Sequence, residues 1–161
     1  MPVLNVQYSG QGKQPDGSII DLAPSQVLIA RGPLIQVSIS IEQHMAEQLL
    51  RQGESVPQPV AGLALLDTGA SSTCIDEALA EQLGISPVDV VHVASASHAA
   101  TEQNVYPVRL EVLGSPITIN APRAIGGPLA AQGILALIGR DVLQSCTLFY
   151  NGMTGQISLA L

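Results

Sequence analysis

The chain has 161 residues, 47% of them apolar and 12% charged, which excludes general disorder and is enough to bury one sizeable core. A net charge of −7, one Phe, three Tyr and no Trp leave no basic footprint for a phosphate backbone and no aromatic platform for base stacking, so no nucleic-acid partner is expected. Two cysteines, Cys74 and Cys146, cannot build a disulfide scaffold or a Cys-only zinc site.

Residues 1–31 are mixed, and residues 8–18 carry Gly10, Gly12, Pro15 and Gly17, which predicts a loop or flexible arm. Residues 1–20 lack a basic start and an apolar run, so no signal peptide is expected, and the cytoplasm is the expected location with both thiols reduced. Residues 34–41 alternate: Ile35, Val37, Ile39 and Ile41 share one face and Gln36, Ser38 and Ser40 the other, the pattern of a half-buried strand. Residues 42–51 take helical spacing, with Gly53 as a stop. Residues 60–66 form an apolar run of strand length that ends at Asp67-Thr68-Gly69. Residues 76–83 predict a short amphipathic helix with Asp76 as N-cap and Gly84 at its stop. Its Glu77 and Glu81 read as a solvated face.

Residues 88–93 and 105–113 predict two strands around a small-residue tip, with Pro107 marking an edge position or a bulge. Further strands are expected at 117–120, 134–138, 146–150 and 156–161, with one or two helical turns at 140–145. Residues 124–139 are mostly apolar but shorter than a membrane span, and Gly126, Gly127, Pro128, Gln132 and Gly133 interrupt them, so no span is expected. Many short strands with little helix predict an all-β barrel or sandwich. A faint internal repeat sets Leu63-Ala64-Leu65-Leu66 before Asp67-Thr68-Gly69 and Leu135-Ala136-Leu137-Ile138 before Gly139-Arg140-Asp141.

The chemistry concentrates at Asp67, Thr68, Gly69 and Ala70, followed by Ser71, Ser72 and Thr73. A carboxylate stands at the mouth of a buried strand, a hydroxyl follows it, and Gly69 lets the backbone turn tightly. Taken alone, the same residues also fit a turn that merely caps a strand. The phosphate loop of actin-like ATPases has a similar opening, but that fold needs two lobes and a second Gly-rich segment. His44, His92 and His98 have no ligand-like spacing, so no metal site is expected. Ser71 and Ser72 lack the Gly-x-Ser-x-Gly context of a nucleophile elbow. Cys74 reads as a small buried residue near the Asp67 turn rather than a nucleophile.

Asp67-Thr68-Gly69-Ala70, followed later by Ala136-Leu137-Ile138-Gly139-Arg140-Asp141-Val142-Leu143, resembles the two signatures of the retropepsin-like, retroviral-type aspartic proteases, in their order. Residues 31–161 carry the resemblance as the protease domain, with an insertion at about 42–58 and residues 1–30 as an N-terminal extension or arm. Phe149-Tyr150-Asn151-Gly152 and Thr154-Gly155-Gln156-Ile157-Ser158-Leu159 look like the bacterial branch of that clan. The resemblance implies an all-β acid-protease barrel with one or two short helices and Asp67 as the catalytic carboxylate. Thr68, Gly69 and Ala70 would shape the active-site loop, and Gly139, Arg140 and Asp141 would support it. A flap would be formed by Ala94, Ser95, Ala96, Ser97, His98, Ala99 and Ala100. The retroviral enzymes usually carry an acidic residue where Ser71 stands, and it pairs with the arginine matching Arg140, so Arg140 must find another partner.

An aspartic protease needs two carboxylates that share one proton, and this chain has one Asp-Thr-Gly. The second must come from a second copy, which predicts a two-fold homodimer, with Thr68, Leu159 and the terminal strands at its interface. The expected function is endopeptidase cleavage of a peptide or protein substrate, with no cofactor. The alternative is a catalytically silent dimerisation or peptide-binding module of the same fold.

Overall fold

Strict alternation makes β4 (Leu34–Ile41) the template of the fold: Ile35, Val37, Ile39 and Ile41 are buried, while Gln36 faces solvent. It pairs antiparallel with β5 (Val60–Leu66) on one edge and with β8 (His98–Val112) on the other. In the computed structural model, which describes residues 1–95 and 98–161, these pairings close a ring. Its strand order is β4-β5-β10-β6-β9-β8, completed by β6 (Cys74–Asp76), β9 (Thr118–Gly127) and β10 (Ala136–Ile138). A six-stranded barrel has no free edge within its wall. β7 (Asp89–Ser95) hangs on the open length of β8 and forms a hairpin with it beyond the ring.

The barrel interior is filled by β-branched and aliphatic side chains, among them Val37, Ile39, Ile75, Val108, Leu110 and Ile138, all fully buried. Each such side chain contributes about 1.5–3 kcal/mol on burial. Scarce aromatics suit a narrow barrel, which small branched residues fill without voids. Pro107 sits where the β8–β9 register shifts between Tyr106 and Val108. That is also where β8 changes neighbour from β7 to β4, so the missing N–H falls at a bulge and no ladder is broken.

The internal repeat has a spatial meaning. β5 and β10 lie side by side and parallel, with Ala64, Leu65 and Leu66 registered against Ala136, Leu137 and Ile138.

A second sheet, ordered β1-β12-β11, packs over the barrel: β1 (Val3–Gln7), β12 (Gln156–Ala160) and β11 (Thr147–Asn151). Leu4, Ile157 and Leu159 are buried in the common core. The terminal strands thus pair with each other inside one chain, and Leu159, expected at an interface, is used internally. The region 1–31 is more structured than its Gly and Pro content predicts. It forms a hairpin of β2 (Gly10–Lys13) and β3 (Ile19–Leu22), then helix α1 (Pro24–Arg31), whose Val27 and Leu28 are buried. Pro24 stands at the first helical turn, and the Gln26 side chain accepts from the Ala23 N–H at 3.1 Å, which together start the helix.

Helix α2 (Gln43–Arg51) falls where its spacing predicts. Helix α3 (Glu77–Gln82) follows Asp76 directly, but the Asp76 carboxylate does not cap it. The carboxylate is buried and accepts the Ala130 N–H at 2.6 Å, at a 3-10 turn over Ala130–Gln132. No helix among the described residues is long and apolar enough to cross a membrane.

Candidate active site

Two loops meet at the end of the β5–β10 pair. The Asp67 N–H donates to the Ile138 carbonyl at 3.0 Å, which carries the parallel ladder one residue past Leu66. The chain then turns: the Gly69 N–H reaches the Asp67 Oδ1 at 2.7 Å, and the Ala70 N–H the Asp67 carbonyl at 3.3 Å. Asp67 is half-buried, while Thr68 and Gly69 are exposed.

The second loop leaves β10 at Gly139 and enters helix α4 (Arg140–Leu143). It is laced to the first loop by main chain and side chain. The Arg140 N–H donates to the Ala70 carbonyl at 3.0 Å and the Asp141 N–H to the Ser71 carbonyl at 3.2 Å. The Arg140 guanidinium spans the Asp67 turn, with Nη1 at 2.8 Å from the Thr68 carbonyl and 3.2 Å from the Gly69 carbonyl. These two carbonyls are the partner that Arg140 lacks at Ser71. The Asp141 carboxylate accepts from the Thr73 N–H at 2.9 Å, the Thr73 hydroxyl at 2.8 Å and the Val142 N–H at 3.0 Å.

Thr73 is the residue that sequence reasoning passed over. It is fully buried, and its Oγ1 also accepts the Gly139 N–H at 3.1 Å, so one hydroxyl ties both loops together. Its signal was a hydroxyl residue at the head of a buried apolar strand, where an unpartnered hydroxyl is costly. Gly139 is required for a different reason from a turn glycine. A Cβ there would lie 2.5 Å from the Ser72 backbone carbon and oxygen, so only glycine admits this close approach.

The Asp67 turn is flanked by two concavities. On one side a cleft of about 880 Å³ runs between Gly69–Ser72 and the β7 hairpin, lined by Val91, Val93, Ala94, Val105 and Ile125, with Arg123 and Asp141 at its rim. Arg123 Nη2 lies 2.6 Å from Asp89 Oδ2, and this guanidinium holds the exposed Asp89 carboxyl below its usual range. On the other side a groove of about 500 Å³ joins Asp67 and Thr68 to Pro33, Leu148 and Tyr150. Cys74 lies in the cleft wall. Burial raises its thiol above the ordinary range, and the carboxylates of Asp141 and Asp67 push it further in the same direction, so it is a poor nucleophile at neutral pH.

Of the predicted flap residues, Ala94, Ser95, His98, Ala99 and Ala100 fall on the two strands of the β7–β8 hairpin. Ala96 and Ser97 lie outside the described residues. His92, at the middle of β7, faces Glu102 with Nε2 at 3.4 Å from its carboxylate. Glu77 is not a solvated face residue: its Oε1 accepts from Asn104 Nδ2 at 2.8 Å and the Tyr106 hydroxyl at 2.9 Å, pinning α3 to β8.

The family model described as "gag-polyprotein putative aspartyl protease" matches residues 58–145, more than half of the chain and both loops. The chain belongs to the retropepsin-like aspartyl protease family. Among curated proteins no match is found. The match begins just before β5 and ends just after α4. Within the family stretch lie the Asp67 turn, the Thr73 tie, the β7–β8 hairpin and the Gly139-Arg140-Asp141 loop. The second sheet and the N-terminal hairpin and helix lie outside it.

Proposed function

We propose that the protein is an aspartic endopeptidase in which two copies of the chain each contribute Asp67 to one catalytic centre. One observation carries this reading. The β5–β10 register sets Leu66 against Ile138, so the position matching Asp67 on the paired strand is Gly139. The nearest carboxylate on that loop, Asp141, is held by Thr73 and Val142 and serves as a tie. One chain therefore offers, on these loops, one carboxylate that does not tie the two loops together, and a two-fold axis supplies the second.

Two such carboxylates held close together share one proton, because both cannot ionise at short range. The ionised one takes a proton from water as the water oxygen adds to the scissile carbonyl carbon. The protonated one donates to the carbonyl oxygen, giving a tetrahedral gem-diol. Return of the proton and protonation of the leaving amine then break the C–N bond. The chemistry needs no cofactor. Gly69 and Ala70 shape the turn around Asp67, Thr68 braces the approach of the second copy, and Arg140 fixes the carbonyls of Thr68 and Gly69. An extended peptide would lie in the cleft beside β7, making main-chain hydrogen bonds along the hairpin, with residues 94–100 as its cover.

The test is cleavage of a defined peptide mixture by the purified protein and by Asp67→Asn. Hydrolysis by the parent, with loss of at least about a hundredfold in the variant, supports the reading. Equal cleavage by both, or none by the parent at any pH and at a concentration where it is dimeric, overturns it.

A further inference from the structure

We propose that the pocket between the N-terminal layer and the outer wall of the barrel binds a medium-chain aliphatic carboxylate, with the tail in the pocket and the head on Arg31. The pocket has a volume of about 340 Å³, at the lower end of the range for small-ligand sites. Leu4 and Val6 of β1, Val27 of α1, Leu34 of β4, Leu63 of β5 and Leu113 after β8 line it. Gln36 of β4 stands opposite Leu63 of β5, and the Leu113 N–H donates to the Gln36 carbonyl at 2.9 Å. These main-chain groups are thus already bonded, and the hollow is faced by aliphatic side chains. None of its residues lines the cleft or the Asp67 groove, so its occupancy does not depend on peptide cleavage.

Two observations choose an anionic head. The first is the charge of the wall. It carries Arg31 and no carboxylate, in a chain of 13 acidic residues and net charge −7. Elsewhere the cleft carries Asp141 and the groove Asp67, a hollow beside α3 carries Asp76, Glu77 and Glu81, and one beside α2 carries Glu54. The second is that Arg31 is available. Arg51 pairs with Glu47, Arg109 with Glu111 and Arg123 with Asp89, and Arg140 is held by two carbonyls. Arg31 makes no ion pair among the described residues. A cation in the last turn of a helix is favoured for its own sake, but the helix end does not account for the carboxylate-free apolar hollow beside it.

The tail is aliphatic because Tyr8 is the one aromatic side chain in the wall, which leaves no pair of platforms to sandwich a planar ring. The Tyr8 hydroxyl is spent on the Leu34 carbonyl, so the Ser9 hydroxyl and the Gln36 amide are the other polar side-chain groups of the wall. A guanidinium gives a carboxylate two parallel N–H···O bonds, which fixes the head at Arg31 while the tail displaces water from the hollow. Each further methylene then tightens binding about three- to fourfold until the hollow is full.

The test titrates the full chain with hexanoate, octanoate and 1-octanol, read by isothermal calorimetry and by the methyl signals of the NMR spectrum. Octanoate should saturate the protein below about 1 mM and shift the methyl signals of Val6, Val27 and Leu63. Hexanoate, two methylenes shorter, should bind about tenfold more weakly, and octanol, which has no charge, at least about tenfold more weakly. Arg31→Gln should lose at least about tenfold in octanoate affinity with unchanged circular dichroism and unchanged octanol binding. Arg51→Gln, which removes an exposed guanidinium elsewhere, should bind octanoate as the parent does. No saturation below about 1 mM, shifts confined to other methyl groups, or octanol binding as tightly as octanoate to the parent overturns the proposal. So does an Arg31→Gln variant that binds as the parent does, or an equal loss in Arg51→Gln.

Discussion

Replacing Thr73 by Val keeps the shape of a fully buried side chain and removes one hydroxyl. That hydroxyl makes two bonds: it donates to Asp141 Oδ1 at 2.8 Å and accepts the Gly139 N–H at 3.1 Å. The Gly139 N–H is buried, and leaving it unpartnered costs about 1–3 kcal/mol. Asp141 is solvent-exposed and keeps the Thr73 and Val142 N–H bonds, so water compensates part of the second loss, which adds about 1 kcal/mol. The sum, about 2–4 kcal/mol, is a large fraction of a typical 5–15 kcal/mol of total stability. Thr73→Ser is the control: it keeps the hydroxyl and gives up one buried methyl, about 1 kcal/mol. Urea unfolding followed by circular dichroism at one fixed protein concentration measures both. With a slope near 2 kcal/mol/M, the Val variant should unfold about 1–2 M earlier than the parent and clearly earlier than the Ser variant. A Val variant as stable as the Ser variant would refute the claim that this hydroxyl ties the two loops.

Gly139→Ala forces a Cβ to within 2.5 Å of the Ser72 main chain, so it should lower stability by about 3 kcal/mol or more, read as a fall in melting temperature; an unchanged midpoint would contradict the close approach. Tyr8 donates its hydroxyl to the Leu34 carbonyl, and burial, with Tyr150 beside it, pushes its pKa up to about 12 from 10.0. The folded state therefore favours the neutral phenol: its contribution is complete below pH 10 and is lost as pH rises through 12. Discounted for its half-exposed position, this amounts to about 1 kcal/mol. Urea midpoints at pH 8 and above pH 11 should converge between parent and Tyr8→Phe, and a constant gap would refute it. The raised Cys74 thiol should react with iodoacetamide at pH 7 several-fold more slowly than a free cysteine, and Cys74→Ser should retain peptide hydrolysis; abolition of hydrolysis in that variant would point to a thiol mechanism instead.

The elements that the sequence made legible are those whose side-chain period is enforced by the barrel. β4 and β5 match their predicted limits at Leu34–Ile41 and Val60–Leu66, because one face of each must fill the interior. α2 matches for the analogous reason at helical period. The Asp67 turn and the Gly139-Arg140-Asp141 loop were legible as motifs, and the β5–β10 pairing explains why two similar apolar runs precede them.

Other features were hidden because their cause is not local. β6 spans only Cys74–Asp76, too short for alternation to show, and it exists because β10 and β9 offer edges to it. Asp76 has the residue type of a helix cap, yet tertiary structure gives its carboxylate to the Ala130 N–H. The glycines of β2 pack against Val27 and Leu22, where an added Cβ would come to 3.0 Å from either side chain, so a segment whose composition predicts a loop is a packed hairpin. The partners of Arg140 are main-chain carbonyls, which carry no sequence signature.

The most direct test of a centre shared between two chains is a mixing experiment. The parent and Asp67→Asn are unfolded together in varying proportions, refolded at a fixed total concentration, and assayed for peptide hydrolysis. If each site takes one Asp67 from each copy, only parent–parent pairs are active and an equal mixture retains about one quarter of the parent activity. Retention of about one half, falling in proportion to the variant fraction, would show that each chain works alone and would contradict the account.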